Sequence, residues 1–194
     1  MCSRLANGEK AITPRLIKSI GGKEAASGSD VPSLPFDPQH MAFIRQAMAD
    51  VTSVAGGTAV NTAKLGLGPV KMAGKTGTAQ SHTYGSGHGA HGAQGAWALR
   101  DHGWFIAFAP ADEPRYAMSV LVEHGGFGGD AAAPKAREIM RTILLKDPEI
   151  LQRIQRSGSQ IEAAPDAGPA EPDTADQPDI APSTPLPDDG THAT

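Results

Sequence analysis

The sequence predicts an α+β fold in which an antiparallel sheet is covered by helices. Three observations lead there. Residues 38–54 carry apolar side chains at three- and four-residue steps, residues 103–109 and 116–123 are strand-like runs joined by a proline-flanked turn, and residues 135–146 form a second apolar-faced stretch.

In chain order, MCSRLANG reads as the end of a helix closed by Asn7-Gly8, a pair that takes positive φ at little cost. An extended segment is expected over residues 11–20 and a loop over 21–35. Asp37 then stands where an N-cap belongs, Pro38 fits the first helical position, and Met41, Ile44, Met48 and Val51 define the inward face. Gly56-Gly57 ends this helix. After MAGKTGTAQ at 72–80 comes SHTYGSGHGAHGAQG, with five glycines in fifteen residues, which reads as a long loop. The runs GWFIAFA and YAMSVLVE follow, separated by Pro110 to Pro114. Their near-continuous apolar content predicts a sheet covered on both faces, with Trp104 in the core. Ile139, Met140, Ile143 and Leu144 share one face of the closing helix, which stops before Pro148. Residues 147–156 read as a helical extension.

Residues 157–194 differ in kind, with seven prolines, eight carboxylates and no Lys or Arg in 38 residues. Ordering such a chain costs roughly 1–2 kcal/mol per residue with little apolar surface to bury, so a disordered acidic tail is expected. The chain as a whole carries 17 basic and 21 acidic residues, a net charge of −4. With eight acids in the tail, residues 1–156 hold the 17 basic residues against 13 acidic ones. No clustered basic patch accompanies that mild excess, so no nucleic-acid partner is expected. The single Cys2 excludes an internal disulfide. No apolar run approaches the roughly 20 residues of a membrane span, and the start lacks a signal peptide, so a cytoplasmic location is expected unless further N-terminal sequence exports the chain.

MAGKTGTAQ admits two chemistries. In a phosphate loop, glycine stands five residues before Gly-Lys-Ser/Thr, and a helix follows at once. Here Pro69 occupies that place, Gly68 is one residue too far, and GTAQSH does not begin an apolar-faced helix. The alternative is the wall of a serine acyl-transfer site, in which Lys-Thr-Gly lies on a strand beside the nucleophile. There the Lys75 ammonium attracts a substrate carboxylate, the Thr76 hydroxyl binds the same group, and Gly77 lets a substrate backbone approach. The Thr78 backbone N–H faces the developing oxyanion, a contribution of about 2.7–4 kcal/mol when such a donor is present. A strand edge also lets a peptide add itself as a further strand.

The order of elements, with RLANGEKAITPRLI, the 38–54 helix leading to GGTA, MAGKTGTAQ, and GWFIAFAP to RYAMSVLVEHGG before a closing helix, resembles the C-terminal part of the transpeptidase domain of class B penicillin-binding proteins of the penicillin-binding protein 2-like type. The likeness spans residues 1–146. It implies a partial serine β-lactamase/transpeptidase-like fold and peptidoglycan D,D-transpeptidation through a serine ester that penicillins mimic. It also implies stem peptides and β-lactams as ligands, no cofactor, and a site at the periplasmic face of the inner membrane. Lys75, Thr76, Gly77 and Thr78 are the substrate-binding residues it implies, with Lys75 and Thr78 catalytic. None of the twelve serines has Lys three positions on, and no Ser-x-Asn occurs. The expectation is therefore a C-terminal piece that is inactive alone, with a separately encoded N-terminal half as a possible partner. A non-catalytic interaction module is the alternative.

His82, His88, His91 and His102 invite a zinc reading, but their glycine-rich spacing fixes no geometry and no metal site is expected. Tyr84 and Trp97 are left open as substrate contacts. Residues 125–130, GGFGGD, lack dinucleotide-loop spacing, and the resemblance implies that they link the last strand to the last helix near the rim of the site.

Overall fold

The computed structural model describes residues 1–25, 31–81, 96–158 and 161. Helix α1, Cys2–Asn7, ends at Gly8 in the left-handed conformation, φ 78°. The expected extended segment is irregular over residues 11–18, and at its end Gly21 and Gly22, both at positive φ, turn the chain into a hairpin of β1, Ser19–Ile20, and β2, Lys23–Glu24. Helix α2, Pro38–Ser53, starts as its sequence predicts: the Asp37 carboxylate accepts the Gln39 N–H at 2.7 Å. Such a cap contributes about 1 kcal/mol. Met41 and Met48 are buried and Val51 packs on the core, whereas Ile44 is 40% exposed and lies outside the inward face.

The main sheet has three antiparallel strands in the order β3, Ala73–Ala79, β4, His102–Ala109, and β5, Tyr116–Val122. A 3-10 turn, Trp97–Leu99, precedes β4. Phe105, Ala107 and Ala109 project to one face, where they meet Met140 and Leu144 of α4, Ala133–Leu144. Ala73 and Phe108 project to the other, against Ala6 of α1 and Met48 of α2. The sheet is covered on both faces only near β4. Along β5 burial alternates, and Ala117, Ser119 and Leu121 are exposed, so its apolar sequence overstates the cover. Trp104 is likewise 37% exposed rather than core.

The expected 135–146 helix begins earlier, at Ala133, after a short turn of helix α3, Gly128–Ala131, because Pro134 fits the first turn. Its buried stripe is Ala133, Ala136, Arg137, Met140, Arg141 and Leu144, while Ile139 is 48% exposed. The small alanines bring the helix close to the sheet, and Arg141 Nη1 donates to the Leu65 carbonyl at 2.5 Å.

Helix α5, Pro148–Arg156, is tied back to the β4–β5 turn. The Asp147 carboxylate, 4% exposed, accepts the Tyr116 hydroxyl at 2.7 Å and the N–H groups of Glu149 at 3.0 Å and Ile150 at 3.3 Å, with Arg115 at 3.6 Å. Arg115 also pairs with Glu149, and Arg153 with Asp112. The Tyr116 hydrogen bond, followed by the backbone N–H groups and the Arg115 charge, holds the Asp147 carboxyl below the usual carboxylate range. A carboxyl whose folded value is lowered stabilises the fold above its unfolded value of about 3.9, and that stability is lost as pH falls through the folded value. In urea denaturation between pH 7 and pH 2, Asp147→Asn is therefore expected to be less stable than the parent at pH 7 and to show a flatter decline below pH 4. Asp147→Ala, which also removes the cap, is expected to be weaker than Asp147→Asn throughout. The acidic-tail expectation falls on residues 159–160 and 162–194, outside the described residues.

Candidate functional site

Lys75, Thr76, Gly77 and Thr78 all lie within β3, paired in register with Ile106, Phe105, Trp104 and Gly103 of β4. Among the described strands β3 has no second neighbour, so one of its edges keeps unpaired backbone groups. A phosphate loop needs the lysine at a loop-to-helix junction. Its place in mid-strand removes that reading.

Antiparallel pairing sorts the side chains. Lys75 and Gly77 share a sheet face with Ala73, Ile106 and Trp104, and Thr76 shares the opposite face with Phe105. Lys75 is exposed, and its ammonium folds back onto its neighbour, donating to the Thr76 carbonyl at 2.8 Å and reaching Thr76 Oγ1 at 3.4 Å. Thr76 Oγ1 lies 3.3 Å from Thr58 Oγ1. Among the described residues no carboxylate forms an ion pair with Lys75. One cation and two hydroxyls therefore converge, with no carboxylate paired to the cation among the described residues, an arrangement suited to an anionic ligand.

Close approach requires glycine at 74 and 128 and favours it more weakly at 77. A Cβ on Gly77 would stand 3.3 Å from the Trp104 Cβ, and one on Gly74 would stand 2.4 Å from Phe105 Cζ. On the sheet face that carries Thr76, Gly128 at the start of α3 packs on the strand backbone so closely that a Cβ there would lie 2.3 Å from the Gly77 carbonyl oxygen and 2.1 Å from that of Trp104. A side chain at position 128 would displace the strand that carries the site. Residues 125–130 thus lead from the last strand into the last helices, as the resemblance implies, with 128–130 already in α3 and packed against the site strand.

The chain matches the family model described as penicillin binding protein transpeptidase domain over residues 1–141. It belongs to the penicillin-binding protein transpeptidase family. Relatives include the peptidoglycan D,D-transpeptidase MrdA of Haemophilus influenzae, 34% identical over 141 residues, which covers 70% of this chain and 21% of that protein. The peptidoglycan D,D-transpeptidase PbpA of Mycobacterium tuberculosis is 32% identical over 154 residues, covering 76% of this chain and 28% of that protein. The chain thus spans about a fifth to just over a quarter of the length of these relatives. Among solved structures, Pseudomonas aeruginosa PBP2 in complex with WCK 5153 superposes with a TM-score of 0.59 at 30% identity, covering 84% of this chain and 30% of that one. Helicobacter pylori PBP2, in its complex with MreC, gives a TM-score of 0.54 at 26% identity, covering 75% and 24%.

His82, His88, His91 and Tyr84 lie outside the described residues. His102 is described, and its ring lies beside that of His124, 4.6 Å between centroids, with the ring of Trp97, 54% exposed, centred 4.2 Å from that of His124. Among the described residues no group of three or more His, Cys, Asp or Glu side chains gathers as metal ligands, and no helix is long and apolar enough to cross a membrane. The pairing of His102 with His124 is not apparent from composition. Counting the hairpin register outward from its turn comes within one residue of it: beyond the Gly103–Val122 pair His102 falls opposite Glu123, and the turn after β5 brings in His124.

Proposed function

We propose that the chain supplies the substrate-binding strand of a peptidoglycan D,D-transpeptidase site, and that the serine nucleophile comes from polypeptide other than these 194 residues. The supporting observation is the exposed Lys75 ammonium gathered with the Thr76 and Thr58 hydroxyls on a β3 edge without a second strand. In this reading Lys75 and Thr76 hold the terminal carboxylate of a stem peptide or the carboxylate of a β-lactam, while the Thr78 N–H stabilises the oxyanion. A serine attacks the carbonyl of the scissile D,D-peptide bond, an ester forms as the terminal residue leaves, and an acceptor amine displaces the serine. Donor and nucleophile act as one unit, so the strand alone performs no acyl transfer. The absence of Lys three residues after any of the twelve serines supports placing the nucleophile elsewhere. The open face of β5, where Leu121 is 42% exposed, and its unpaired outer edge among the described strands support a partner segment that completes the sheet.

The test uses fluorescent penicillin. The 194-residue chain is expected to take no covalent label. A chimera in which residues 1–141 replace the matched region of the Haemophilus influenzae relative is expected to label, and Lys75→Ala in that chimera to lower the acylation rate on the order of a hundredfold, as loss of a preorganised electrostatic group does. Label on the isolated chain would contradict an external nucleophile. A chimera that folds and labels equally well with and without the Lys75→Ala substitution would contradict the role of the strand.

A further inference from the structure

The cluster of His102, His124 and Trp97 has no part in the reading above, yet it sits where β3 and β4 end together. The β4 partner of Ala79 is His102, one step beyond the Thr78–Gly103 pair. The Nδ1 atom of His102 accepts the backbone N–H of His124 at 2.9 Å. Two more bonds hold the same turn: His124 Nδ1 lies 3.1 Å from the Arg100 carbonyl, to which it donates, and the Gly126 N–H donates to the Asp101 carbonyl at 2.8 Å. His124 is the one non-glycine among the described residues with positive φ, 53°. A side chain is seldom found there unless its surroundings hold it. The indole of Trp97 packs on the His124 ring, 4.2 Å between centroids and tilted by 51°.

The turn held in this way leads, two residues after Gly126, to Gly128, whose Cα packs on the carbonyl oxygens of Gly77 and Trp104. We propose that His102 is a positioning residue for the substrate strand: by accepting the His124 N–H it fixes the turn at 123–127 and so presses Gly128 against the back of Gly77, holding residues 76–78 at their edge position. The role depends on an acceptor at the Nδ1 position, not on the bulk of the ring. Asparagine at 102 offers Oδ1 two bonds from Cβ, where histidine offers Nδ1, and leucine fills similar space without an acceptor. The inference rests on the reading of residues 75–78 as the substrate edge, but it is tested without ligand.

The experiment is amide hydrogen exchange on the full chain, followed on peptides covering 74–80, 123–128 and 135–144. His102→Leu is expected to speed exchange about tenfold in the first two and to leave the third unchanged, in keeping with the loss of one ordinary hydrogen bond. His102→Asn is expected to return both to within about twofold of the parent. Equal acceleration in the Asn and Leu variants would overturn the proposal, because it would show a packing role. So would fast exchange at 123–128 with no change at 74–80, because the turn would then not reach the strand. Should the leucine variant lose protection in all three peptides, protection retained by the asparagine variant supports the acceptor role, and its loss there too overturns it. A chimera that fails to label while the exchange pattern stands would sink the substrate-edge reading alone.

Discussion

Replacing Gly128 by alanine is expected to lower stability by roughly 3 kcal/mol, at the upper end of what overpacking costs. The added methyl group would stand 2.1 Å from the Trp104 carbonyl oxygen and 2.3 Å from that of Gly77. Both obstacles are backbone atoms of paired strands, so no rotamer change relieves them. Relief requires β3 and β4 to move away from α3, and β3 is the strand with one partner among the described strands, so it is expected to yield first. Gly129→Ala is the matched control. Its methyl group would meet the Thr58 carbonyl oxygen at 3.2 Å, which a shift of a few tenths of an ångström relieves, so its cost is expected to stay below about 1 kcal/mol. Urea denaturation of the two variants reads the difference. If they are equally stable, the close approach of α3 to the site strand is not what holds it. In the labelling chimera, Gly128→Ala is also expected to slow acylation more than its loss of folded fraction explains, because a strand displaced by a fraction of an ångström presents its donors off line.

The elements that could be read from the sequence are those whose causes are local. Asp37-Pro38 with apolar steps of three and four set α2, Gly8 set the end of α1, and the paired apolar runs around Pro110 and Pro114 set the hairpin. The placement of Lys75 on a strand also follows from its neighbours, since no helix signal follows it. Other features depend on residues far apart in the chain. That Ile44 and Ile139 face outward while Arg137 and Arg141 are buried depends on how closely alanine-lined α4 approaches the sheet, a distance no helical period contains. The His102–His124 contact joins the first residue of β4 to the turn two residues past β5, and strand register alone places it one residue off. Glycines at 74, 77 and 128 look interchangeable in sequence, yet each answers to a different atom across the fold.

Gly74 shows how far such an answer can be tested. Phe105 is fully buried, and its ring lies across the glycine, so that a Cβ at 74 would stand 2.4 Å from Cζ and 2.8 Å from Cε1. The ring fills the space between the sheet and α4, and Phe105→Ala is expected to cost roughly 3–5 kcal/mol as a buried phenylalanine leaves a cavity. Against a typical total of about 5–15 kcal/mol, that change alone removes a large share of the stability. Gly74→Ala is expected to cost about 2 kcal/mol for the opposite reason, overpacking against the same ring. The two effects should not add, since each variant changes the space the other needs. Phe105→Leu removes the ring atoms that the new methyl group would strike, so the penalty of Gly74→Ala in the Phe105→Leu background is expected to fall by about 1 kcal/mol or more. A double-mutant cycle by urea denaturation measures that coupling. Strict additivity would mean that the glycine before Lys75 is required by the Ile106 carbonyl, 3.0 Å from the same Cβ position, and not by the ring beneath it.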